Sequence, residues 1–315
     1  MKAWYGPLLN AARRHQRVLS ASVMSVIFSL LAWRLYRDWH RLPAGLLQTV
    51  DYPMLSMSLV CLMGALLLVS ARWGLTLRVL GQPLPWRTSV RIWFLSQAGR
   101  YLPGGIWPYV SRFHLSQGKM SGSTAALSMV LETLLRVLSE FLVFLCSLPF
   151  WLNRSLVDSR ILILSGGGVI VGLCLLHPRW VELSYRSTLL RRMGIRMDLE
   201  PPCLPHYGAM LGLLAYYMAT VLGVGAAFSL LVRAIYPLPW RVYPILTGGL
   251  AVSVVVGFLV PLAPGGWGVR EGLLTLSLGQ IMPTPVAIII SVVCRLWLSL
   301  AEGLWILLAL RPGEG

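Results

Sequence analysis

Charge is what this sequence has least of. Only 12% of its 315 residues are Asp, Glu, Lys or Arg, about half the share of a soluble domain. With 57% of the chain hydrophobic, a water-soluble globular fold is excluded. Acidic residues are scarcest, 11 against 27 Lys and Arg, for a net charge of +16. On a polar chain that balance would suggest nucleic acid. On an apolar chain it points instead to anionic lipid headgroups, which attract juxtamembrane Lys and Arg with about 1 kcal/mol each, and no nucleic-acid partner is expected. Cys61, Cys146, Cys174, Cys203 and Cys294 show no paired spacing and read as packing residues, and the five histidines share no metal-ligand spacing. A disulfide framework, a metal site and a haem are therefore not indicated, and no cofactor is expected. A phosphate-binding P-loop is also missing, as is any polar linker, so residues 1–315 read as one transmembrane domain.

What the sequence has in abundance is long apolar runs. A bilayer core takes about 20 residues of helix, and nearly uncharged stretches of that order lie near 18–33, 54–71, 124–150, 161–177, 207–235, 244–262 and 284–310. The expected fold is all-α, a polytopic integral membrane protein with about 7–8 transmembrane helices. The first run follows Arg13, Arg14 and Arg17 and continues into Trp33-Arg34 without a small-residue cleavage site, the pattern of an uncleaved anchor. Lys and Arg outside the runs collect before the first span, in 72–123, in 178–206 and at Arg270, which predicts a cytoplasmic amino terminus. Trp73, Trp86, Trp151 and Trp240 sit at proposed span ends, as interfacial indoles do. Gly166-Gly167-Gly168 suggests a close helix contact.

Two stretches are too broken for ordinary spans and too apolar for solvated loops. The first is Gln97-Ala98-Gly99-Arg100-Tyr101-Leu102-Pro103-Gly104-Gly105-Ile106-Trp107-Pro108; the second runs from Val260 through Pro264-Gly265-Gly266-Trp267 to Arg270-Glu271. Both contain Pro-Gly-Gly, and each is followed by a long apolar run that carries both Arg and Glu. Glu132, Arg136 and Glu140 fall at i, i+4, i+8, and Arg295, Ser299 and Glu302 at i, i+4, i+7, so each set shares one helix face. A charge at mid-bilayer costs about 2.5–3.5 kcal/mol, so these groups must face one another or a wet cavity. Irregular backbone at that depth is tolerated only where protein or a cavity covers it. The echo therefore predicts two re-entrant or broken helices from an internal repeat with halves near 54–150 and 207–310.

At these two segments the chain resembles a known family, the transmembrane region of the lysylphosphatidylglycerol synthases and flippases, which also occurs as stand-alone membrane proteins. The resemblance is carried by Gly99 to Gly105 with Arg112 beyond, and by Pro261 to Glu271 ending Gly268-Val269-Arg270-Glu271. It implies a multi-pass protein of the bacterial inner membrane that moves a lipid between leaflets. The soluble domain that transfers lysine is not part of these residues, so no enzymatic activity is expected, and a polyprenyl-phosphate lipid is as admissible a substrate as an anionic or aminoacylated phospholipid. Arg100, Arg112 and Arg270 are candidate phosphate ligands. Tyr101, Pro103, Gly104, Gly105, Pro264, Gly265, Gly266 and Glu271 are candidates to shape the site, with Glu132, Arg136, Glu140, Arg295 and Glu302 keeping it polar. The alternative is a non-transporting subunit that presents a lipid carrier to a glycosyltransferase or another lipid-modifying enzyme.

Overall fold

The computed structural model describes residues 50–101, 105–151, 206–260 and 266–311, with scattered helical positions inside 29–37 and 163–174. The runs at 18–33 and 161–177 and the basic stretch at 178–206 thus lie almost wholly outside the described residues. Among the described residues the structure is helix and turn, without strand.

The first half is α1 (Tyr52–Val79), α2 (Trp86–Gln97), α3 (Trp107–Ser116) and α4 (Gly122–Ser147), and the second is α5 (Tyr207–Ile235), α6 (Tyr243–Leu259), α7 (Val269–Leu278) and α8 (Thr284–Leu310). Their ends follow from local chemistry. Asp51 caps α1 by accepting from the Met54 amide at 2.9 Å, and Ser121 caps α4 by accepting from Thr124 at 3.2 Å. Pro53, Pro108, Pro244 and Pro285 occupy first turns, where the missing amide leaves no bond unmade. Among the described residues, four helical segments, Tyr52–Val79, Tyr207–Ile235, Trp240–Leu259 and Thr284–Leu310, are long and apolar enough to cross a membrane. At 1.5 Å per residue, α2, α3 and α7 extend only about 15–18 Å, half the hydrocarbon thickness. The run expected at 124–150 does form one long helix, α4, but its three charged residues keep it out of the apolar set.

In order of length the halves read alike: long, shorter, interrupted at Pro-Gly-Gly, short, long. Their packing reads alike too. α1 lies along α5; α4 packs on α6 as α8 packs on α2; α2 meets α3 as α6 meets α7; α4 meets α5 as α8 meets α1. Among the helix pairs in substantial contact, exchanging the two halves returns the same set. Gly105 and Gly266, the last glycines of the two Pro-Gly-Gly segments, share the same left-handed backbone at φ +67° and +71°, which only glycine enters without strain.

The core lies between α1, α2, α5 and α8, with Leu62, Trp73, Phe94, Phe228, Leu231 and Ile290 in one cluster. Trp73 and Trp151 belong to the interior and not to the interface. Trp73 is 0% exposed, and its indole donates to Ser128 at 3.0 Å; Trp151 donates to Ser147 at 3.1 Å. Helix α1 continues eight residues past the expected end of its apolar run at 71, which carries Trp73 inward. Cys294 is buried as expected, but Cys61, Cys146 and Cys174 are exposed on the bundle. Gly166, Gly167 and Gly168 face open space among the described atoms, so they make no close helix contact there.

Close approach occurs instead at α5 and α6. A Cβ on Gly225 would lie 2.8 Å from the Thr247 Cβ, whereas one on Gly303 in α8 would meet nothing within 4 Å. The same substitution should therefore have opposite effects. Gly225→Ala forces α5 and α6 apart at about 1–3 kcal/mol despite the better helix propensity of alanine, whereas Gly303→Ala is neutral or stabilising. Thermal unfolding of the two purified variants, side by side in one detergent, checks this.

Candidate functional site

The charged residues picked out along the apolar helices converge on one cavity of about 420 Å³ between the two halves. Its polar lining comprises Arg72, Arg100, Arg112, Arg136, Arg270 and Arg295 with Glu132, Glu140 and Glu302. Gln97, Tyr109, Thr133 and Thr247 add uncharged polar groups, and the rest is apolar, including Leu66, Val69, Val221, Val254, Phe258 and Leu298. Gly105 and Gly266, at the described edges of the two Pro-Gly-Gly segments, also touch it. Pro103, Gly104, Pro264 and Gly265 lie outside the described residues, and Tyr101 closes the short 3-10 turn Ala98–Tyr101 after α2.

Arg112 on α3 is 3% exposed and pairs with Glu132 on α4. Its Nε also donates to Ser96 at 3.2 Å, and its guanidinium lies 5.3 Å from the Trp73 ring centroid and 5.8 Å from that of Trp93. The second carboxylate oxygen of Glu132 accepts from the Trp93 indole at 3.0 Å. The charges are thus enclosed by donors, acceptors and aromatic faces, which a buried ion pair needs to persist in a low-dielectric medium.

The second half holds the corresponding pair with its signs exchanged. Glu271 on α7 is 2% exposed, and its Oε1 lies 3.8 Å from Arg295 Nε on α8. The Arg295 guanidinium sits 4.8 Å from the Trp267 centroid. Glu271 Oε2 also accepts from the Gly268 amide at 2.6 Å, fixing the first turn of α7. Gly268 itself has φ +83°.

Two further pairs cross the cavity wall. Arg100, in the turn after α2, pairs with Glu302 of α8 and donates to Gln97 Oε1 at 2.7 Å, joining the two halves. Arg136 meets Glu140 at 3.4 Å on α4 and lies 5.4 Å from the Phe258 ring of α6; Glu140 Oε2 has no hydrogen-bond partner among the described residues. The second Pro-Gly-Gly segment presses on α6, where a Cβ on Gly266 would come within 2.8 Å of the Gly257 carbonyl oxygen.

Two arginines stand apart. Arg270 makes no ion pair with a described residue. Arg72, assigned by its position after the run 54–71 to a basic loop, is instead inside α1, 4% exposed and facing α5. Its Nε donates to Thr220 Oγ1 at 2.6 Å and a terminal nitrogen donates to the Tyr217 carbonyl at 3.0 Å, with the Tyr217 ring 4.8 Å away. No carboxylate of a described residue lies within ion-pair distance of it. The inward position of Arg72, Arg112 and Arg270 also removes them from any count of loop charges.

No curated protein matches this sequence. A family model does, over residues 18–300, a stretch that takes in both Pro-Gly-Gly segments and every charged residue of the cavity except Glu302. The chain belongs to the family of the lysylphosphatidylglycerol synthase transmembrane region.

Proposed function

We propose that this protein moves a lipid with an anionic headgroup between the leaflets of a bacterial inner membrane, without catalysing a covalent change. The observation that carries the reading is the cavity itself: six arginines and three glutamates facing a void whose remaining wall is largely aliphatic and aromatic, a lining suited to a phosphate headgroup that carries an acyl or prenyl chain. The membership of a membrane, lipid-related family supports it.

The exchange relation between the halves supports movement rather than static binding. Counting α2 with α3 and α6 with α7 as re-entrant pairs, and taking the apolar runs 18–33 and 161–177 as crossings from their sequence alone, the full crossings are 18–33, α1, α4, 161–177, α5 and α8. Three crossings then separate the two pairs, so they enter from opposite faces, the arrangement of an inverted repeat around a midplane site. In this topology the amino terminus, Arg78, Arg87, Arg91, Lys119 and the basic stretch 178–206 share the cytoplasmic side, as the positive-inside rule requires. Helix α6 is apolar enough to cross, but it occupies the packing position of the twelve-residue α2. A subunit that only presented a carrier to a glycosyltransferase would need one site and no exchange-related second half.

The test uses purified protein in liposomes carrying fluorescent anionic phospholipid, aminoacylated phospholipid or polyprenyl phosphate, with leaflet accessibility read by a membrane-impermeant quencher. Wild-type protein should accelerate equilibration of at least one lipid, and Arg100→Ala, Arg270→Ala together should reduce that rate at least tenfold while the protein stays folded. An unchanged rate in the double variant would overturn the site assignment. Specific lipid binding with no movement would favour the presenting subunit.

A further inference from the structure

The charged groups of the cavity fall into two clusters of the same composition. On α1, α3 and α4, Arg72, Arg112 and Arg136 stand with Glu132 and Glu140; on the α2 turn, α7 and α8, Arg100, Arg270 and Arg295 stand with Glu271 and Glu302. Each cluster counts three cations against two anions, so each half brings one uncompensated positive charge to the same void. The stretches 102–104 and 261–265 contain no ionisable side chain and leave that count unchanged. An isolated charge in a low-dielectric interior is strongly unfavourable, and two of them lining one cavity define the complement of what should occupy it.

We infer that the cavity is built for a lipid whose headgroup ends in a phosphate monoester, carrying two negative charges, with Arg72 and Arg270 as the two groups it neutralises. The inference rests on the reading of the cavity as a headgroup site and narrows it. A phosphodiester such as phosphatidylglycerol brings one negative charge and leaves a guanidinium unmatched. An aminoacylated headgroup adds an ammonium to a cavity that is already positive. A monoester brings close to two charges at neutral pH, together with three acceptor oxygens, enough to meet an arginine from each half at once. Both clusters border the same cavity, so a single anion within it can face both.

The experiment compares two lipids of almost equal size and identical chains. Full-length protein in detergent is titrated with dioleoylphosphatidic acid, a monoester, and dioleoylphosphatidylmethanol, its methyl diester, at about pH 8, with affinity and stoichiometry read by native mass spectrometry. Glycerol 3-phosphate serves as the same headgroup without chains. The expected result is one phosphatidic acid per protein, bound on the order of tenfold more tightly than phosphatidylmethanol. Arg270→Gln and Arg72→Gln should each erase most of that preference, whereas glycerol 3-phosphate should bind far more weakly than the lipid. Equal affinity for the two lipids, or two diesters bound as tightly as one monoester, would overturn this inference and leave the transport reading standing. Binding of neither lipid would overturn both, and glycerol 3-phosphate binding as tightly as phosphatidic acid would assign the site to a soluble phosphate ester.

Discussion

Glu132→Ala should lower stability more than any other single change in the cavity, by about 3–5 kcal/mol, because it leaves the Arg112 guanidinium buried without its carboxylate. Arg112 sits 3% exposed between two indoles, which leaves little room for water to hydrate the charge in place of the carboxylate. A loss of that size corresponds to a fall in melting temperature on the order of 10 °C, readable from tryptophan fluorescence of the purified protein. The more informative variant exchanges the pair, Arg112→Glu with Glu132→Arg. The second half of the protein already places the acid on the shorter helix and the base on the longer one, as Glu271 and Arg295. If the two sites are equivalent, the exchanged pair should recover more than half of the stability lost in the single variants. Failure to recover would locate the stabilisation in the stacking of Arg112 on Trp73 and Trp93, which glutamate cannot reproduce.

That exchange could not have been read from sequence, although both of its members were singled out there. A charge in an apolar run is conspicuous, so Glu132, Arg136, Glu140, Arg295 and Glu302 were visible as a class, and helical spacing correctly placed each set on one face. Spacing within a helix gives the face and not the partner. Of the four ion pairs described above, Arg136 with Glu140, at i, i+4, is the one that lies on a single helix. Arg100 reaches Glu302 across the junction between the halves, and Arg112 reaches Glu132 through the turn between α3 and α4.

The fold was legible to a similar depth. Apolar length predicted α5 and α8 to the residue, 207–235 and 284–310, since a long uniform run leaves little choice of boundary. α2, α3 and α7 were not separated as helices, because their mixed composition carries neither a spanning signal nor solvent-facing periodicity. Arg72 was lost for a related reason. A hydropathy run ends at its first charge, so a helix that continues past one is cut short, and its arginine is counted with the loop that follows.

Arg72 is therefore where the largest functional effect without a matching loss of stability is expected. Its guanidinium is held by a hydroxyl, a carbonyl and an aromatic face, none of which neutralises it. Thr220 Oγ1 donates to the Tyr217 carbonyl at 2.7 Å independently of Arg72, so removing the arginine orphans neither group. Arg72→Met keeps an unbranched stem, removes a charge that costs about 2.5–3.5 kcal/mol in the bilayer interior, and should leave the melting temperature unchanged or raise it. Lipid movement should nevertheless fall at least tenfold, because one of the two charges offered to the phosphate is gone. Arg72→Lys keeps the charge but loses the planar donor geometry, so it should restore part of the transport. Both readouts on the same preparations separate the alternatives. A melting temperature that drops as far as in Glu132→Ala would make Arg72 a structural clasp between α1 and α5, and wild-type transport by Arg72→Met would remove it from the binding machinery. Reduced transport in a protein no less stable than wild type is the signature of a charge kept at a cost to the fold for what it binds.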